Sequence, residues 1–292
     1  MPKSTRNKEK TELIVGLCAI ALAVVLLVAL VIGMGRLSAQ LDFSQPTHKD
    51  PTQHTTTAPR PVRPTLIPNP YDERDFAYEN GFLTCLSGES WLGVDVSEYQ
   101  GNIDWETVAS QNIRFAMIRL GARGWGKTGE IFADSRWERN LFGARDAGLQ
   151  VGVYFYSQAI SEEEAREEAR FVLEKLGGQK LDMPIAFDWE VGPSDTARTR
   201  DMTAEMLNRC AVAFCEEIRA AGYEPMVYFN LDVSRRLLDL PMLQAQGYPF
   251  WLAMYSNAMT YPYRVDMWQY TSGGTVSGIP AQVDVNLYFI YE

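Results

Sequence analysis

Two kinds of apolar pattern divide the chain. The first is one unbroken run, LIVGLCAIALAVVLLVALVIGMG (13–35), with no charge in 23 residues. A helix of that length, rising 1.5 Å per residue, crosses the hydrocarbon core of a bilayer. The second begins at residue 92, where short apolar runs alternate with amphipathic stretches. LGVDVS (92–97), FAMIRL (115–120), VGVYFY (151–156), PIAFDWE (184–190) and PMVYFN (225–230) read as strands, and 104–111, 135–147, 161–177, 201–221 and 232–239 as helices. Three further strand-like runs close the chain without helices between them: FWLAMYS (250–256), VDMWQYT (265–271) and VDVNLYFIY (283–291). The pattern therefore predicts five βα units followed by three strands. Strands apolar on both faces with helical crossovers indicate a parallel α/β sheet, and eight strands can close a barrel.

Local signals sharpen the boundaries. Ser161 with Glu164 three residues on predicts a capping box at the third helix. Gly148 and Gly222 follow helical runs and suit the left-handed C-terminal position. AGLQVGVYF (147–155) and AGYEPMVYF (221–229) share A-G-x4-V-Y-F, a faint echo that fits tandem βα units. ENGFLTCLSGES (79–90) predicts a small hairpin leading into the first strand. The domain division is then 1–12, a basic cytoplasmic segment; 13–35, a transmembrane signal-anchor; 36–75, a Pro/Thr-rich linker; 76–91, a hairpin-like lead-in; and 92–292, the barrel.

Charge orients the chain. Lys3, Arg6, Lys8 and Lys10 precede the apolar run, which places the N-terminus in the cytoplasm and the C-terminal part outside. A cleaved signal peptide with a secreted product is the alternative, and LSA (37–39) resembles a cleavage site only weakly. Residues 1–70 carry 8 Lys/Arg against 4 Asp/Glu, whereas the remainder carries 19 against 33. An acidic module gives no support for binding nucleic acid.

Histidine content then restricts the chemistry. His48 and His54 both fall in the linker, so the folded part has none. Serine and cysteine hydrolases need a histidine base, and zinc hydrolases need histidine ligands. Acid–base work is left to carboxylates, Tyr, Lys or Cys. Cys85, Cys210 and Cys215 have no metal-binding spacing; one disulfide is possible, with buried thiols the default. No metal or cofactor is expected.

In α/β barrels the chemistry lies at the C-terminal ends of the strands. There the pattern puts Asp95, Asp188, Glu190, Asn230, Gln269 and Asp284, interleaved with Tyr154, Tyr156, Tyr228, Trp251, Tyr255 and Trp268. Asp188 and Glu190 share a strand face at i, i+2. Clustered acids without histidine suit glycoside hydrolysis, which needs a proton donor and a negative partner for an oxocarbenium-like charge. Aromatic rings would stack on sugar faces. Singly, Asp95 and Asp284 read equally well as turn formers and the tyrosines as barrel filling. Carboxylate-held metal is the functional rival.

GVDVSEYQGNIDWETV (93–108), FDWE (187–190), WQYTSGG (268–274) and VDVN (283–286) resemble the glycoside hydrolase family 25 lysozymes, or Chalaropsis-type muramidases. The resemblance implies a modified TIM-like (β/α)5(β)3 barrel, a monomeric catalytic domain, and cleavage of the β-1,4 bond between N-acetylmuramic acid and N-acetylglucosamine in peptidoglycan. It implies Glu190 as general acid and Asp188 as stabiliser of the substrate's own attacking N-acetyl group. Asp95 and Asp284 would complete the acidic cluster; Tyr156, Tyr228, Tyr255 and Gln269 would contact substrate. Trp189 between the acids, and Tyr99 after Ser97-Glu98, depart from the family pattern without removing a carboxylate. A chitinase-like enzyme would carry an Asp at position 186, where this chain has Ala186. A catalytically silent glycan-binding module is the non-enzymatic alternative. Trp189 is expected to point away from the acids, into the packing between strand and helices.

Overall fold

The computed structural model describes residues 64–291. The 13–35 run and most of the linker lie outside the described residues; among the described ones no helix is long and apolar enough to cross a membrane.

A 3-10 turn (Glu73–Asp75) leads into a hairpin of β1 (Phe76–Glu79) and β2 (Phe82–Cys85). Asn80 and Gly81 both take positive φ, 52° and 87°, as the tight two-residue hairpin turn requires. The turn thus falls just past residue 79, inside the expected 76–91 lead-in, and the hairpin's first strand precedes the 79–90 stretch. Then follow β3 (Ser90–Val96), α1 (Trp105–Ala109), β4 (Phe115–Arg123), β5 (Ile131–Ala133), α2 (Trp137–Asp146), β6 (Gln150–Ser157), α3 (Glu162–Leu176), β7 (Ile185–Trp189) and α4 (Ala204–Ala220). The chain ends with β8 (Pro225–Asn230), α5 (Leu231–Arg236), α6 (Leu240–Ala245), β9 (Phe250–Ala253), β10 (Met267–Gly274) and β11 (Val283–Phe289).

Eight strands pair in the order β3-β11-β10-β9-β8-β7-β6-β4, and β3 pairs with β4 to close the barrel. All eight expected strands are present. Seven run parallel; β11 is antiparallel to both β10 and β3. The connection across 275–282 explains the reversal, because a parallel crossover needs about a dozen residues or more. β5 and α6 were not foreseen. β5 is a three-residue strand folded back on the end of β4, too short to show a period.

Alternation along each strand sorts the core into two shells. On β7, Ile185, Phe187 and Trp189 join the layer between sheet and helices, while Ala186 faces the barrel interior. Trp189 is 2% exposed, and its indole N–H donates to the Ala159 carbonyl at 3.0 Å. It points away from the inner face, as its position between two inward residues demands. The interior holds Phe115, Met117, Met183, Met226 and Met267 with Tyr154, Tyr228 and Trp251. Gly93 makes room for this filling: a Cβ there would meet the Phe115 ring at 2.3 Å.

Helix ends follow the expected chemistry with one change. Gly148 and Gly222 have φ of 86° and 85°. Ser161 caps α3 by accepting from the Glu164 N–H, but the Glu164 carboxylate accepts from Ile160 N–H, one residue beyond the reciprocal bond expected. Part of the expected linker also belongs to the folded unit. Asn69 donates from its side-chain amide to the Met259 carbonyl and from its backbone N–H to the Pro262 carbonyl, and the Tyr71 ring lies 4.9 Å from that of Phe289. The few apolar side chains of a Pro-rich segment suffice once a barrel face covers them. Cys85, Cys210 and Cys215 are all buried free thiols.

Replacing Trp189 by Ala should cost about 3–5 kcal/mol, since it removes a fully packed ring and leaves the Ala159 carbonyl without its donor. Urea unfolding of the purified variant checks this; a change under about 1 kcal/mol would contradict the packing described.

Candidate active site

Asp95, Arg119, Tyr154, Tyr156, Asp188, Glu190, Tyr228, Trp251, Tyr255, Gln269 and Asp284 line one cleft of about 180 Å³. The eight site residues that the resemblance implies, Asp95, Tyr156, Asp188, Glu190, Tyr228, Tyr255, Gln269 and Asp284, are all among them. The cleft lies where β3, β6, β7, β8 and β10 end. Asp95 is near the end of β3, Asp188 near the end of β7, and Glu190 one residue past it. Asp284 enters from the start of β11, whose reversed direction brings it directly opposite Asp95 in the ladder. Asn230, by contrast, caps α5 by accepting from Asp232 and Val233 N–H groups. It is a structural residue.

The four acids are held differently. Asp95 Oδ2 accepts from Gln269 Nε2 at 2.9 Å and from Asn286 Nδ2 at 2.7 Å. The amides are themselves oriented, because the Trp251 indole N–H donates to Asn286 Oδ1 at 2.9 Å and the Tyr255 hydroxyl to Gln269 Oε1 at 3.2 Å. Indole nitrogen can only donate, so the Asn286 amide nitrogen must face Asp95. Asp188 has no such support. It is 7% exposed, flanked in the sheet by Tyr156 and Tyr228, and its Oδ1 is buried without a partner. Glu190 is half-buried; its Oε1 accepts from the Tyr228 hydroxyl at 3.3 Å, and its carbonyl from Gln158 Nε2 at 2.7 Å. Thr199 donates to Gln158 Oε1, which ties the loop after β7 to the end of β6.

Burial raises every one of these acids, and repulsion from neighbouring acids adds to it at Asp95, Asp188 and Asp284. Desolvation lifts Asp95 to about 6 despite its two amide donors. Desolvation, with the Asp95 and Glu190 charges, lifts Asp284 to about 8. Asp188 is pushed well above the carboxylate range, first by desolvation and then by Glu190 and Asp95. Glu190 is raised by desolvation and partly restored by the Tyr228 hydroxyl. The cleft therefore keeps protonated carboxyls and carboxylates side by side near neutral pH, the condition for a general acid beside an anion. Arg119 supplies the positive charge that faces Asp188, Tyr154 and Tyr156. Among the described residues no three acidic, thiol or imidazole side chains converge as a metal site.

Arg119 and Asn286 were not among the residues expected at the site, and Tyr154 and Trp251 were expected only as aromatics near the strand ends. Arg119 did carry a signal, a lone charge within the apolar run FAMIRL. Asn286 had none beyond its place in VDVN.

Residues 94–279 match the family model for glycosyl hydrolases family 25. The chain belongs to that family. It is 28% identical over 208 residues to the uncharacterized protein YegX of Escherichia coli (strain K12), covering 67% of this chain and 68% of YegX. It is 25% identical over 203 residues to lysozyme M1 of Streptomyces globisporus, covering 67% of each. The fold is similar to that of the modular autolysin LytC from Streptococcus pneumoniae in complex with a synthetic peptidoglycan ligand, at 25% identity and a TM-score of 0.59. That match covers 69% of this chain but 47% of LytC, so the chain spans about half the length of the pneumococcal structure. It is also similar to the bacterial lysozyme from Streptomyces coelicolor, at 23% identity and a TM-score of 0.54, covering 69% of this chain and 92% of the other. The shared barrel and family membership define a glycoside hydrolase.

Two outcomes follow from the electrostatics. Tyr228→Phe removes a donor that favours ionised Glu190, so the Glu190 carboxyl should titrate higher than in the parent, read by carbon NMR of labelled glutamate. Asp284 binds its proton more tightly in the folded than in the unfolded chain. Its stabilising contribution is complete below the ordinary carboxylate pKa and is lost as pH rises through about 8. Asp284→Asn should therefore raise Tm by several degrees relative to the parent at pH 8 and by much less at pH 4, measured by calorimetry. An equal gain at both would refute this.

Proposed function

We propose that the protein is a muramidase that hydrolyses the β-1,4 bond between N-acetylmuramic acid and N-acetylglucosamine in peptidoglycan. One observation carries the reading. Asp188 offers a buried acceptor oxygen with no partner, beside a protonatable Glu190, in a cleft of four acids and several aromatic rings. An unpaired buried oxygen is costly, and an amide N–H is a donor that would satisfy it. The N-acetyl group of an aminosugar carries such a donor.

In this mechanism Glu190, whose burial favours the protonated form, gives its proton to the leaving glycosidic oxygen. Asp188 accepts from the acetamido N–H, which turns the acetamido oxygen toward the anomeric carbon; that donor and the nearby Arg119 charge favour ionised Asp188, which stabilises the positive charge that develops as the new C–O bond forms. Water then opens the resulting oxazolinium, with Glu190 taking back a proton. No enzyme nucleophile is required. Asp95, fixed by Gln269 and Asn286, supplies negative charge to the cluster, with Asp284 opposite it in the ladder. Tyr156, Tyr228, Tyr255 and Gln269 contact the sugar. Support for a peptidoglycan substrate comes from the lysozyme relatives and from the peptidoglycan ligand of LytC.

The same reading puts the catalytic barrel outside the cytoplasmic membrane, on a tether formed by 13–35 and the following linker. What supports it is the uncharged 23-residue run and its basic N-terminal flank. It gives the enzyme access to wall close to the membrane.

The full chain, purified in detergent, should release new reducing ends at muramic acid from purified peptidoglycan. Release of peptide alone, or nothing, would exclude muramidase activity. Glu190→Gln should lower turnover by about 10²-fold or more while leaving the unfolding midpoint equal or higher. Near-normal turnover would remove Glu190 from the role of acid.

A further inference from the structure

The rim of the cleft beside Asp95 carries a feature that the four-acid mechanism does not use. β3 runs into a 3-10 turn (Glu98–Gln100) fixed at three points. Ser97 N–H donates to Gln100 Oε1 at 2.8 Å, Tyr99 N–H to Ser97 Oγ at 3.3 Å, and Gln100 Nε2 to the Gln282 carbonyl at 3.1 Å. The turn holds Tyr99 outward, 74% exposed. One face of its ring lies on the Arg119 guanidinium, 4.9 Å from centroid to Cζ. Arg119 cannot drift: Asp134, fully buried, binds it at 2.7 Å and Glu98 at 3.2 Å. Tyr99 is thus an aromatic plate backed by an anchored cation, with its other face free, at the edge of a cleft that Arg119 itself lines. Such rings supply large flat contact area at small entropy cost.

Beyond the plate, charge changes sign. Asp134 also accepts from the Arg136 N–H at 2.9 Å, which joins the Arg119 network to the start of α2. The guanidinium groups of Arg136 and Arg139 converge on one uncharged atom, Asn102 Oδ1, at 2.5 and 3.0 Å. Among the described residues neither arginine has a carboxylate within ion-pair distance, although most arginines of this acidic domain do. The nearby acids are already committed. Glu98 is bound by Arg119 and by Ser135 Oγ at 2.6 Å, and Asp134 by Arg119 and two backbone N–H groups. Two like charges held together without a counterion are unfavourable unless an anion joins them.

We infer that Tyr99, Arg136 and Arg139 form an outer subsite for an acid-bearing sugar of the glycan strand: the ring stacks on Tyr99, and a carboxylate of its peptide branch binds between the two guanidiniums. The inference rests on the peptidoglycan reading above. It adds that the enzyme distinguishes glycan strands that carry peptide branches from bare ones. Arginine suits this role because its planar fork matches a carboxylate.

The test compares two substrates with the full chain: glycan strands with intact peptide branches, and the same strands stripped of peptide by an amidase. Arg136→Ala/Arg139→Ala should lower kcat/KM about tenfold on the branched strands and less than twofold on the bare ones, with the difference shrinking in high salt. Tyr99→Ala should lower both about tenfold. Equal effects of the arginine pair on both substrates would overturn the subsite. If the parent releases no reducing ends from either, the muramidase reading fails instead, and binding decides the subsite. In that case Glu190→Gln protein should bind N-acetylmuramoyl-dipeptide about tenfold more tightly than the same protein lacking both arginines, by calorimetric titration. Equal affinity would overturn the inference.

Discussion

Four carboxyl groups enclosed at one end of a closed barrel repel each other and lose their hydration, and much of the surrounding structure answers that constraint. Unsupported, each would simply stay protonated. The barrel supports them unequally. Asp95 receives two amide donors, each oriented by an aromatic donor behind it, and these favour its ionised form against the cost of burial. Asp188 receives none and sits between two tyrosines of neighbouring strands. Glu190 receives one long bond from a phenol. The inequality separates otherwise similar groups into proton holders and charge holders, which is what acid catalysis beside an anion requires.

The barrel makes this arrangement possible through alternation. A strand that turns Ile185, Phe187 and Trp189 to the helices must turn Ala186 and Asp188 inward. The outward set fills the outer shell and fixes the strand, so the inward set can be chosen for chemistry at the open end and for filling below it. Methionines and large aromatics occupy the deeper interior, and Gly93 yields its space to Phe115. Reversal of β11 completes the cluster: only a strand entering from the opposite end can present its first residues where the others present their last.

Much of this was legible in the chain. Eight strands, their order and five of the helices follow from apolar runs whose lengths and periods differ clearly. Asp188 and Glu190 could be paired because i, i+2 spacing is a property of any strand. What escaped had a physical cause. β5 is too short to show a period, and α6 follows α5 too closely to separate. Segment 64–75 looked like spacer because its composition is polar and Pro-rich; its few apolar groups matter only once the barrel offers them a surface. Glu164 bonds one residue away from its expected partner because the chain entering α3 turns Ile160 N–H toward it.

The sequence by itself determined the eight barrel strands and five helices, the absence of histidine from the folded part, and which acids fall at strand ends, since each of these depends on residues near in the chain. It did not determine how those acids are held. That Gln269 and Asn286 converge on Asp95 across separations of 174 and 191 residues is decided by barrel closure alone. The orphaned oxygen of Asp188 is likewise a fact about what the other strands of the barrel fail to bring near it. Arg119 illustrates both sides: its charge within an apolar strand was visible, but only the folded rim shows that it anchors Tyr99 and leaves Arg136 and Arg139 without a counterion.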